Sequence, residues 1–391
     1  MGRDDSLERA LDGDADMRLA VVGRGLIGAA AARHLGLMGH EVALIGPQEP
    51  ADLARHDGVF GSHYDEGRIT RVLEAHPFWR RANAASIARY GEIRAASGVD
   101  FYREAGALHL GADDGGEVAE LTAIAAAEGI DCETCDAAEL RARFPFLGIR
   151  PGMRGCFEPR NAGHISPRRL VTAQTIAATR AGALVIHEPA LAISENRSGV
   201  TIRTRSGEVE AGGVLVAAGG HTQSLLGRAL GLTVYARTVA LFRLGAAEAA
   251  RLAAMPSMRC FGPRGADPYI LPPIVYPDGG TWLKLGGDPV DRILDGEAAI
   301  RDWFRSGGSS AVADALEAQL LARLPGLAVE ERRVVPCMTT FSRSGLPTIG
   351  PLSRRVTIAT GGCGKAAKCS DELGRLAALA LLGEVQAELA P

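Results

Sequence analysis

Three glycines near the amino terminus have the spacing of a turn that binds phosphate. The apolar run at 19–22 leads into Gly-Arg-Gly-Leu-Ile-Gly at 23–28, and a helical pattern follows. In such a turn Gly23 bends the chain, Gly25 lets the backbone approach a phosphate, and Gly28 lets the helix pack on the strand. The N–H groups and the dipole at the start of the helix attract an anion. We therefore predict a dinucleotide site rather than a purely structural turn.

The residue that would bind the adenosine ribose is not obvious. The second predicted strand, 40–45, is followed by Gly46, whereas an Asp or Glu usually binds the ribose hydroxyls at this point. Glu49 could reach the ribose from the following loop, as in an enzyme that uses NAD or FAD. Arg55 could instead face a 2′-phosphate, so these residues leave an NADP enzyme open.

A second glycine cluster lies near the carboxyl terminus. The predicted strand 356–360 runs into Gly361, Gly362, Cys363 and Gly364, and we expect a helix from about Ser370. Such a turn aims backbone N–H groups at an anion or a carbonyl. Alone, an ordinary strand-to-helix turn would explain it equally well. Together with the first glycine turn, it indicates a cofactor held at both ends.

Charged residues and a cysteine outside these turns are candidates for chemistry at the cofactor. Arg68 and Arg71 are three residues apart, so they would share one face if this segment is helical. They could equally form a solvated basic patch. Lys284 lies in an alternating strand, where a surface lysine is the default, and Cys337 would ordinarily be a small buried hydrophobic residue.

The elements that must position these residues alternate between helix and strand patterns and then become rich in strands. Helical periodicity covers 78–97 and 117–128, and Ser166 followed by Pro167 begins a helix that we expect to reach about 181. Strand patterns occur at 105–111, 184–193, 200–204, 209–217, 236–244, 269–275 and 281–286. The sequence therefore predicts an α/β fold in which a Rossmann-like cofactor domain is interleaved with a substrate domain built on a mainly antiparallel sheet with helices.

The two predicted domains share the chain in alternating segments. Residues 17–104, 151–235 and 334–391 would form the cofactor domain, and residues 105–150 and 236–333 would form the substrate domain. Residues 1–16 would be a mobile acidic extension, because two arginines face six acids there, a net charge of −4.

The composition excludes several classes of protein. The 391 residues are 47% hydrophobic and 23% charged, as in soluble globular proteins. Without the acidic extension the net charge of −3 becomes about +1, and no basic stripe is present, so we expect no nucleic acid partner. No apolar run reaches the ~20 residues of a membrane span, and no targeting leader is evident, so we expect a cytoplasmic protein without a membrane partner.

The cysteines predict neither a disulfide framework nor a metal site. There are seven, an odd number scattered along the chain, which favours reduced thiols. Cys132 and Cys135 form a lone C-x-x-C without a second pair or an adjacent histidine. This spacing is more typical of chance than of zinc or redox chemistry.

Five blocks of the sequence, in this order, resemble the flavin-dependent amine oxidases typified by monomeric sarcosine oxidase and N-methyltryptophan oxidase. They are the glycine turn at 23–28, Gly-Ser-His-Tyr-Asp-Glu-Gly-Arg-Ile-Thr-Arg at 61–71, Trp-Leu-Lys-Leu-Gly at 282–286, Pro-Cys-Met-Thr at 336–339, and residues 361–370. The resemblance spans nearly the whole chain. It implies FAD as the cofactor, which favours an oxidase over the NADP alternative, and a site between the FAD-binding domain and the sheet of the substrate domain.

The resemblance also implies which residues contact the cofactor. The family attaches flavin covalently through the cysteine of the Pro-Cys-Met block, so Cys337 is expected to carry FAD, with Arg68 stabilising its thiolate and the reduced flavin. Lys284 would place positive charge where superoxide forms during reoxidation by O2. Further cofactor contacts are expected from Ser62, His63, Gly362, Gly364 and Lys368.

Two cations are expected at the substrate. By the same resemblance, Arg71 would clamp a substrate carboxylate with its planar guanidinium, and Lys368 would supply the partner ammonium. Because both carboxylate-binding residues are present, an amino acid is favoured over a simple amine.

Several positions depart from the sarcosine oxidases. Thr339 replaces a tyrosine, Asp288 and Tyr64 replace histidines, and Lys-Ala-Ala at 365–367 adds a cation before Lys368. The pocket is therefore expected to be roomier and differently charged, and sarcosine itself is disfavoured. We place Asp288, Thr339 and Tyr269 among the substrate-binding residues.

We therefore expect an FAD-dependent oxidase of a carboxylate-bearing secondary amine, either an N-methyl amino acid or a cyclic imino acid. Hydride transfer to flavin would give an imine, and O2 would take the electrons and leave as hydrogen peroxide. The chain would act as a monomer or small homo-oligomer. Three alternatives stay open: an FAD-dependent dehydrogenase with another electron acceptor, an NADP-dependent reductase, and a flavin-binding subunit without turnover.

Overall fold

The computed structural model describes residues 18–262 and 267–391. The acidic extension expected at 1–16 lies outside the described residues. Within the described ranges, no helix is both long enough and apolar enough to cross a membrane.

Strands and helices alternate along the described chain. In chain order the strands are β1 (Leu19–Val22), β2 (Val42–Ile45), β3 (Arg68–Thr70), β4 (Tyr102–Glu104), β5 (Ala107–Ala112), β6 (Glu133–Cys135), β7 (Met153–Glu158), β8 (Gly163–Ile165), β9 (Leu184–Ile186), β10 (Ala192–Glu195), β11 (Val200–Arg203), β12 (Glu208–Ala211), β13 (Gly213–Val216), β14 (Thr233–Leu244), β15 (Ser257–Cys260), β16 (Tyr269–Val275), β17 (Thr281–Gly286), β18 (Glu331–Phe341), β19 (Thr348–Pro351) and β20 (Val356–Thr360). The α-helices are α1 (Leu26–Leu37), α2 (Pro77–Ala88), α3 (Tyr90–Ser97), α4 (Glu117–Glu128), α5 (Ala137–Arg143), α6 (Pro167–Arg180), α7 (Thr222–Leu226), α8 (Ala246–Arg251), α9 (Gly296–Arg305), α10 (Ser310–Arg323) and α11 (Ala366–Leu381). Short 3₁₀ turns cover Gly219–His221 and Ala387–Leu389.

One large sheet carries the first glycine turn. Its strand order is β19-β20-β13-β1-β2-β9, parallel throughout except for the antiparallel edge strand β19. Helices α1 and α11 pack together on this sheet around an apolar core. Gly374 lets them approach closely, because a Cβ at this position would lie 2.5 Å from the Cβ of Ala30. Because β1, β13 and β20 run in the same direction, the carboxyl ends of β1 and β20 lie at the same edge of the sheet, as expected of a nucleotide-binding sheet.

The second large sheet has the order β18-β14-β17-β16-β15-β5-β7-β6. Its pairs are antiparallel except for β15 with β5, and the long strands β14 and β18 pair from Thr233 with Phe341 to Arg243 with Glu331. Helix α10 covers the apolar face of this sheet. The α/β fold class predicted from the sequence is therefore confirmed. Strands β7 and β18 belong to this sheet, and the domain boundaries at 151 and 334 stay a prediction.

Helix α11 is fixed by one buried carboxylate. Asp371 is fully buried and accepts hydrogen bonds from Arg33 Nη2 at 2.9 Å, Arg89 Nε at 2.5 Å and Gln174 Nε2 at 2.8 Å. Burial opposes the charge, but the His34 ring and the two arginines hold the pKa of Asp371 well below its usual range. The carboxylate thus ties α11 to α1, to α6 and to the junction of α2 and α3.

Several elements predicted from the sequence are confirmed at their bounds. The predicted strands 269–275, 281–286 and 356–360 and the predicted helix 117–128 coincide with β16, β17, β20 and α4. Helix α6 begins at Pro167 as predicted, and the Ser166 side chain caps it by accepting from Arg169 N at 3.1 Å.

Some local expectations differ from the structure. The sequence left open whether the segment with Arg68 and Arg71 is helical, and it is not: Arg68–Thr70 forms β3, which pairs with β8. The expected single helix at 78–97 is divided at Arg89 into α2 and α3. In both places a contact distant in sequence decides the geometry, since β8 lies about a hundred residues away and Arg89 turns toward Asp371 on α11.

The expectation of reduced thiols throughout was also wrong for one pair. Cys132 forms a disulfide with Cys156, with a Cα–Cα distance of 6.3 Å, while Cys135 stays free and buried. The reason is that β6 pairs with β7, where Thr134 lies opposite Cys156. Disulfides are commoner in oxidising compartments, so this bond does not support the expected cytoplasmic location.

Candidate active site

A cavity of about 550 Å³ is lined by residues of both large sheets. Its wall includes the two glycine turns, residues 59–64, residues 337–341 of β18 and the first turn of α11. Such a cavity at the carboxyl ends of parallel strands is the usual place for a cofactor. Among the described residues, no group of three or more His, Cys, Asp or Glu is arranged to hold a metal ion.

The first glycine turn has the geometry of a phosphate-binding turn. Gly23 has φ of 108°, and a Cβ there would lie 2.3 Å from Ala217 O. A Cβ at Gly28 would lie 1.9 Å from Gly23 O, whereas a Cβ at Gly25 would meet only the His63 ring, at 3.9 Å. The N-cap residue of α1 is Gly25, which has no side chain to cap the helix, so the first N–H groups of α1 are available to an anion.

Arg24 covers the end of β2, where the ribose-binding acid was missing. Its Nε donates to Gly46 O at 3.3 Å and its Nη2 donates to Pro47 O at 3.0 Å. A Cβ at Gly46 would lie 2.5 Å from Arg24 N, so no acidic side chain fits at this position. Arg24 itself lines the cavity, and the sequence interpretation had assigned it no role.

The two residues proposed for the ribose site lie elsewhere. Glu49 is held by Arg168, whose Nε and Nη2 donate to its two oxygens at 2.6 Å. Arg55 is exposed and lies 3.6 Å from Asp52. Neither Glu49 nor Arg55 belongs to the described residues that line the cavity, so neither expectation for the ribose is met.

The second glycine turn connects β20 to α11. Gly361, Cys363 and Gly364 all have positive φ, at 72°, 49° and 69°. The turn is tied to β18 because Cys363 N donates to Thr340 O at 2.8 Å. Helix α11 begins at Ala366, earlier than the expected start near Ser370, because the Gly362 carbonyl already accepts from Ala366 N.

Cys337, Arg68 and Ser62 lie together in the cavity wall, and their contacts with a cofactor stay a prediction. Arg68 Nη2 lies 3.4 Å from Cys337 Sγ and donates to Ser62 O at 3.2 Å. The backbone of Cys337 is fixed by Trp303, whose Nε1 donates to Cys337 O at 2.8 Å. Burial disfavours the charge of Arg68, but the Asp65 carboxylate outweighs this and raises the pKa of the guanidinium above its ordinary value.

Lys284 is fully buried and does not itself line the cavity. Its ammonium forms an ion pair with Asp65 and donates to Gly67 O at 2.6 Å. The cavity wall beside it is formed by Tyr269, whose ring centroid lies 5.4 Å from Lys284 Nζ. The default expectation of a surface lysine is therefore excluded, but the positive charge of Lys284 is paired.

Arg71 and Lys368, the expected carboxylate-binding residues, line the same cavity. Arg71 Nη2 contacts Glu74 Oε2 at 2.8 Å, while Arg71 Nε is buried and has no hydrogen-bond partner within the described chain. Lys368 is nearly fully buried and donates to Lys365 O at 3.2 Å. Burial and the neighbouring Arg71 lower the pKa of Lys368 to about 8.

The segment that carries Arg71 is positioned by Glu158 of β7. Its carboxylate accepts from the backbone N–H groups of Val72 and Leu73, both at 3.0 Å. His109 of β5 contacts the other carboxylate oxygen at 3.3 Å, and the side chains of His109 and Glu158 are both buried. The second large sheet thus fixes the backbone next to the arginine.

The remaining predicted substrate residues also line the cavity. Thr339 Oγ1 is buried and has no hydrogen-bond partner among the described residues. Asp288 uses its carboxylate to accept from Thr238 N at 2.7 Å and Val290 N at 2.9 Å. His63 is neutral, because burial and the positive charge of Arg24 lower its pKa to about 3.

This arrangement agrees with a comparison against protein families. The model of the FAD dependent oxidoreductase family matches residues 18–380. This chain belongs to that family. The resemblance recognised in the sequence is therefore confirmed.

Individual proteins are similar to this chain in sequence or in fold. A monomeric sarcosine oxidase of Streptomyces avermitilis is 30% identical over 208 residues, which is 53% of this chain and 52% of the relative. An N-methyl-L-tryptophan oxidase of Citrobacter koseri is 25% identical over 221 residues, or 53% of this chain and 55% of the relative. The matches thus span about half the length of these relatives. The open form of NikD, an amino acid oxidase essential for nikkomycin biosynthesis, is 22% identical with a TM-score of 0.76 and covers 96% of this chain and 97% of its own, which shows the fold alone.

The residues of this FAD dependent oxidoreductase fit the cofactor of its family. At Gly23 and Gly28 a side chain would collide with backbone, while Gly25 leaves room for a phosphate. Two glycine turns, the neutral His63 and the guanidinium of Arg68 border one continuous cavity. When bound, FAD would supply the two-electron chemistry, and this chain supplies the binding groups and charges around it.

Some residues of the site were not recognised in the sequence. The sequence assigned no role to Asp65, Glu74 or Arg259. One signal was available in the sequence: Asp65 lies in the 61–71 block, three residues before Arg68. Their burial depends on contacts with β16, β17 and α11, which local sequence patterns do not reveal.

Proposed function

We propose that this protein is an FAD-dependent oxidase of a carboxylate-bearing secondary amine, either an N-methyl amino acid or a cyclic imino acid. The C–N bond would be oxidised to an imine, and the electrons would pass from FAD to O2, giving hydrogen peroxide. The relatives named sarcosine oxidase and N-methyl-L-tryptophan oxidase support a substrate of this class. We keep a cytoplasmic location and a monomeric or small homo-oligomeric state as predictions.

The proposal rests on one observation: Arg71 and Lys368 line the same cavity. They come from the end of β3 and from the first turn of α11, about three hundred residues apart in sequence. Arg71 Nε has no hydrogen-bond partner among the described residues although it is buried. A substrate carboxylate would satisfy this donor, and charge-assisted hydrogen bonds of this kind are stronger than neutral ones.

The same charges favour the reactive form of the substrate. A secondary amine must lose its proton before it can give up hydride, and positive groups nearby lower the pKa of an ammonium. Arg71, Lys365 and Lys368 all line the cavity. No general base is required, because the surrounding charge favours the neutral amine.

We also propose that Cys337 carries FAD covalently through the 8-methyl carbon of the ring. The contact between Arg68 Nη2 and Cys337 Sγ at 3.4 Å supports this attachment, because it places a positive group beside the sulfur. Forming this thioether would remove one hydrogen from sulfur and one from the methyl group, and O2 would accept the two electrons and two protons as hydrogen peroxide.

One observation favours a second candidate, a dehydrogenase that passes electrons to another acceptor. Asp65 pairs with Lys284, so the charge expected to promote reaction with oxygen is partly cancelled. The two candidates share the substrate and the cofactor and differ only in reoxidation.

An anaerobic screen would test the proposal. Purified flavoprotein would be mixed with N-methyl amino acids, cyclic imino acids, their methyl esters and the corresponding simple amines, and bleaching of the flavin absorbance followed. We expect bleaching by free acids only, and recovery with hydrogen peroxide after air is admitted. Equal bleaching by esters or simple amines would contradict the carboxylate requirement, and bleaching without recovery in air would favour the dehydrogenase.

A further inference from the structure

We propose that the substrate of this enzyme carries a second carboxylate, which is bound by Arg259 and Lys365. The inference rests on the proposed function and narrows its substrate class to dicarboxylic secondary amines. The observation behind it is a basic cluster, defined here as Arg71, Arg259, Lys365 and Lys368, which lines the cavity around one buried glutamate.

Glu74 is the centre of the basic cluster. It is only 3% exposed, and its Oε2 contacts Arg71 at 2.8 Å. Its Oε1 lies 3.2 Å from Lys365 Nζ and 3.9 Å from Arg259 Nη1. One oxygen of Glu74 therefore contacts Arg71, and the other lies near Arg259 and Lys365. We group Lys368 with Arg71, because the charges of these two residues interact.

The side chains of the second group are held in place by aromatic rings. The guanidinium of Arg259 lies 4.7 Å from the ring centroid of Phe261, and the ammonium of Lys365 lies 6.0 Å from that of Trp79. Such cation–π contacts restrict long side chains. Arg259 and Lys365 therefore line the cavity in restricted conformations, although both side chains stay partly exposed.

The basic cluster has more charge than its carboxylates neutralise. Among the described residues, the four cations of the basic cluster have two carboxylate partners, Glu74 and Asp267, so the cluster keeps a surplus of two positive charges. Unpaired charge in a partly buried cavity is unfavourable unless a counter-ion is present. A monocarboxylate would neutralise one of the two charges, whereas a dicarboxylate would neutralise both.

The distances suggest a compact ligand. The two groups of cations are bridged by the single side chain of Glu74, so the two substrate carboxylates should be separated by only a few bonds. A secondary amine with an acidic group on each side of nitrogen has this form, as does an N-alkyl derivative of an acidic amino acid.

The test compares two unreactive thioethers, in which sulfur takes the place of the amine nitrogen. (Methylthio)acetate has one carboxylate and thiodiacetate has two. Each is titrated into the purified FAD-loaded protein at constant ionic strength, with the change in flavin absorbance as readout and calorimetry as a check. We expect thiodiacetate to bind about a hundredfold more tightly, because each of two further charge-assisted contacts would contribute about tenfold.

Variants then locate the second carboxylate. Arg259→Gln and Lys365→Gln should each reduce the affinity ratio of the two probes by about tenfold. Arg251→Gln removes the same charge from the surface helix α8, where Arg251 pairs with Glu248, and should leave the ratio unchanged. Because the Lys365 side chain is 37% exposed, Lys365→Gln should fold even if Arg259→Gln does not.

The outcomes separate this inference from the proposed function. Equal affinities of the two probes in the unaltered protein, or a ratio that survives both substitutions, would overturn the second carboxylate site. Arg71→Lys should weaken both probes. If it weakens neither, the carboxylate clamp of the proposed function is wrong, whatever the ratio.

Discussion

Lys284 and Asp65 form an ion pair in the interior of the protein, beside the wall of the proposed flavin cavity. Asp65 also pairs with Arg68 and accepts a hydrogen bond from Tyr276 OH at 2.9 Å. Burial opposes ionisation of this carboxyl group, but Lys284 and Arg68 hold the pKa of Asp65 well below its usual range. Asp65 is therefore the ion-pair partner of both cations that the sequence analysis placed at the flavin, Lys284 and Arg68. The three side chains together carry one positive charge.

Replacing Lys284 by methionine should slow reoxidation of the flavin by O2 about a hundredfold, because superoxide is an anion that a nearby positive charge stabilises. Anaerobic reduction by substrate should change much less. Stopped-flow absorbance of the two half-reactions measures both effects. Equal slowing of the two half-reactions would remove Lys284 from oxygen activation.

Replacing Asp65 by asparagine should have the opposite effect on reoxidation. The substitution keeps the shape of the side chain but releases the charges of Lys284 and Arg68, so reoxidation should become up to about tenfold faster. The flavin reduction potential, measured with redox dyes, should become more positive for the same reason. An unchanged potential in a folded variant would show that the ion pair is structural only.

Much of the fold could be predicted because its elements are encoded locally. Strands β16 and β17 show alternating patterns, and α6 begins with a capping serine followed by proline. The glycine turn could be predicted because steric limits at Gly23 and Gly28 permit no other residue.

The parts that could not be predicted depend on distant contacts. Arg68 lies in a strand because it pairs with Ile165, and the local sequence around Arg68 does not predict this pairing. Glu49 seemed free to bind a ribose, but Arg168, more than a hundred residues later, takes both of its oxygens. Buried acids such as Glu74 look like surface residues in a sequence, since only the folded chain brings their cations together.

Replacing Cys337 by serine should make the flavin dissociable. In the unaltered protein, the colour should stay with the polypeptide after acid precipitation, because a thioether survives denaturation. In Cys337→Ser the flavin should appear in the supernatant, and the intact mass should lose the mass of one FAD. Cys363→Ser is the matched control, because Cys363 also lines the cavity but does not contact Arg68. Release of all flavin from the unaltered protein would contradict the covalent link.

Replacing Asp371 by asparagine should destabilise the fold by about 3–5 kcal/mol, because the buried Arg33 and the partly buried Arg89 lose their carboxylate partner. Urea unfolding of the flavoprotein measures this loss. Glu92→Gln removes the exposed partner of Arg33 and should cost about 0–1 kcal/mol.

The contribution of Asp371 should also depend on pH. Its folded-state pKa lies below the unfolded value of about 3.9. The stabilisation is therefore present above that pH and is lost as the pH falls below it. The difference in unfolding free energy between the unaltered protein and Asp371→Asn should accordingly shrink in acid, and a constant difference would contradict the assignment.

Lys368 should make the binding of a carboxylate dependent on pH in the mildly alkaline range. Burial and Arg71 lower its pKa to about 8, so the ammonium is present below this value and is lost above it. Glu74 and Lys365 act on the same group, one raising and the other lowering its pKa. The affinity for (methylthio)acetate should therefore fall as the pH rises through about 8, by about tenfold when one charge-assisted contact is lost.

The conservative variant Lys368→Arg provides the control for this pH dependence. An arginine stays charged throughout the range, so the variant should bind the probe with little change between pH 7 and about 9.5. Lys368→Met should bind weakly at every pH, without the inflection. Titration of the flavin absorbance with the probe at several pH values measures all three proteins. If the inflection persists in Lys368→Met, another group controls it, and Lys368 is not the partner of Arg71 at the carboxylate.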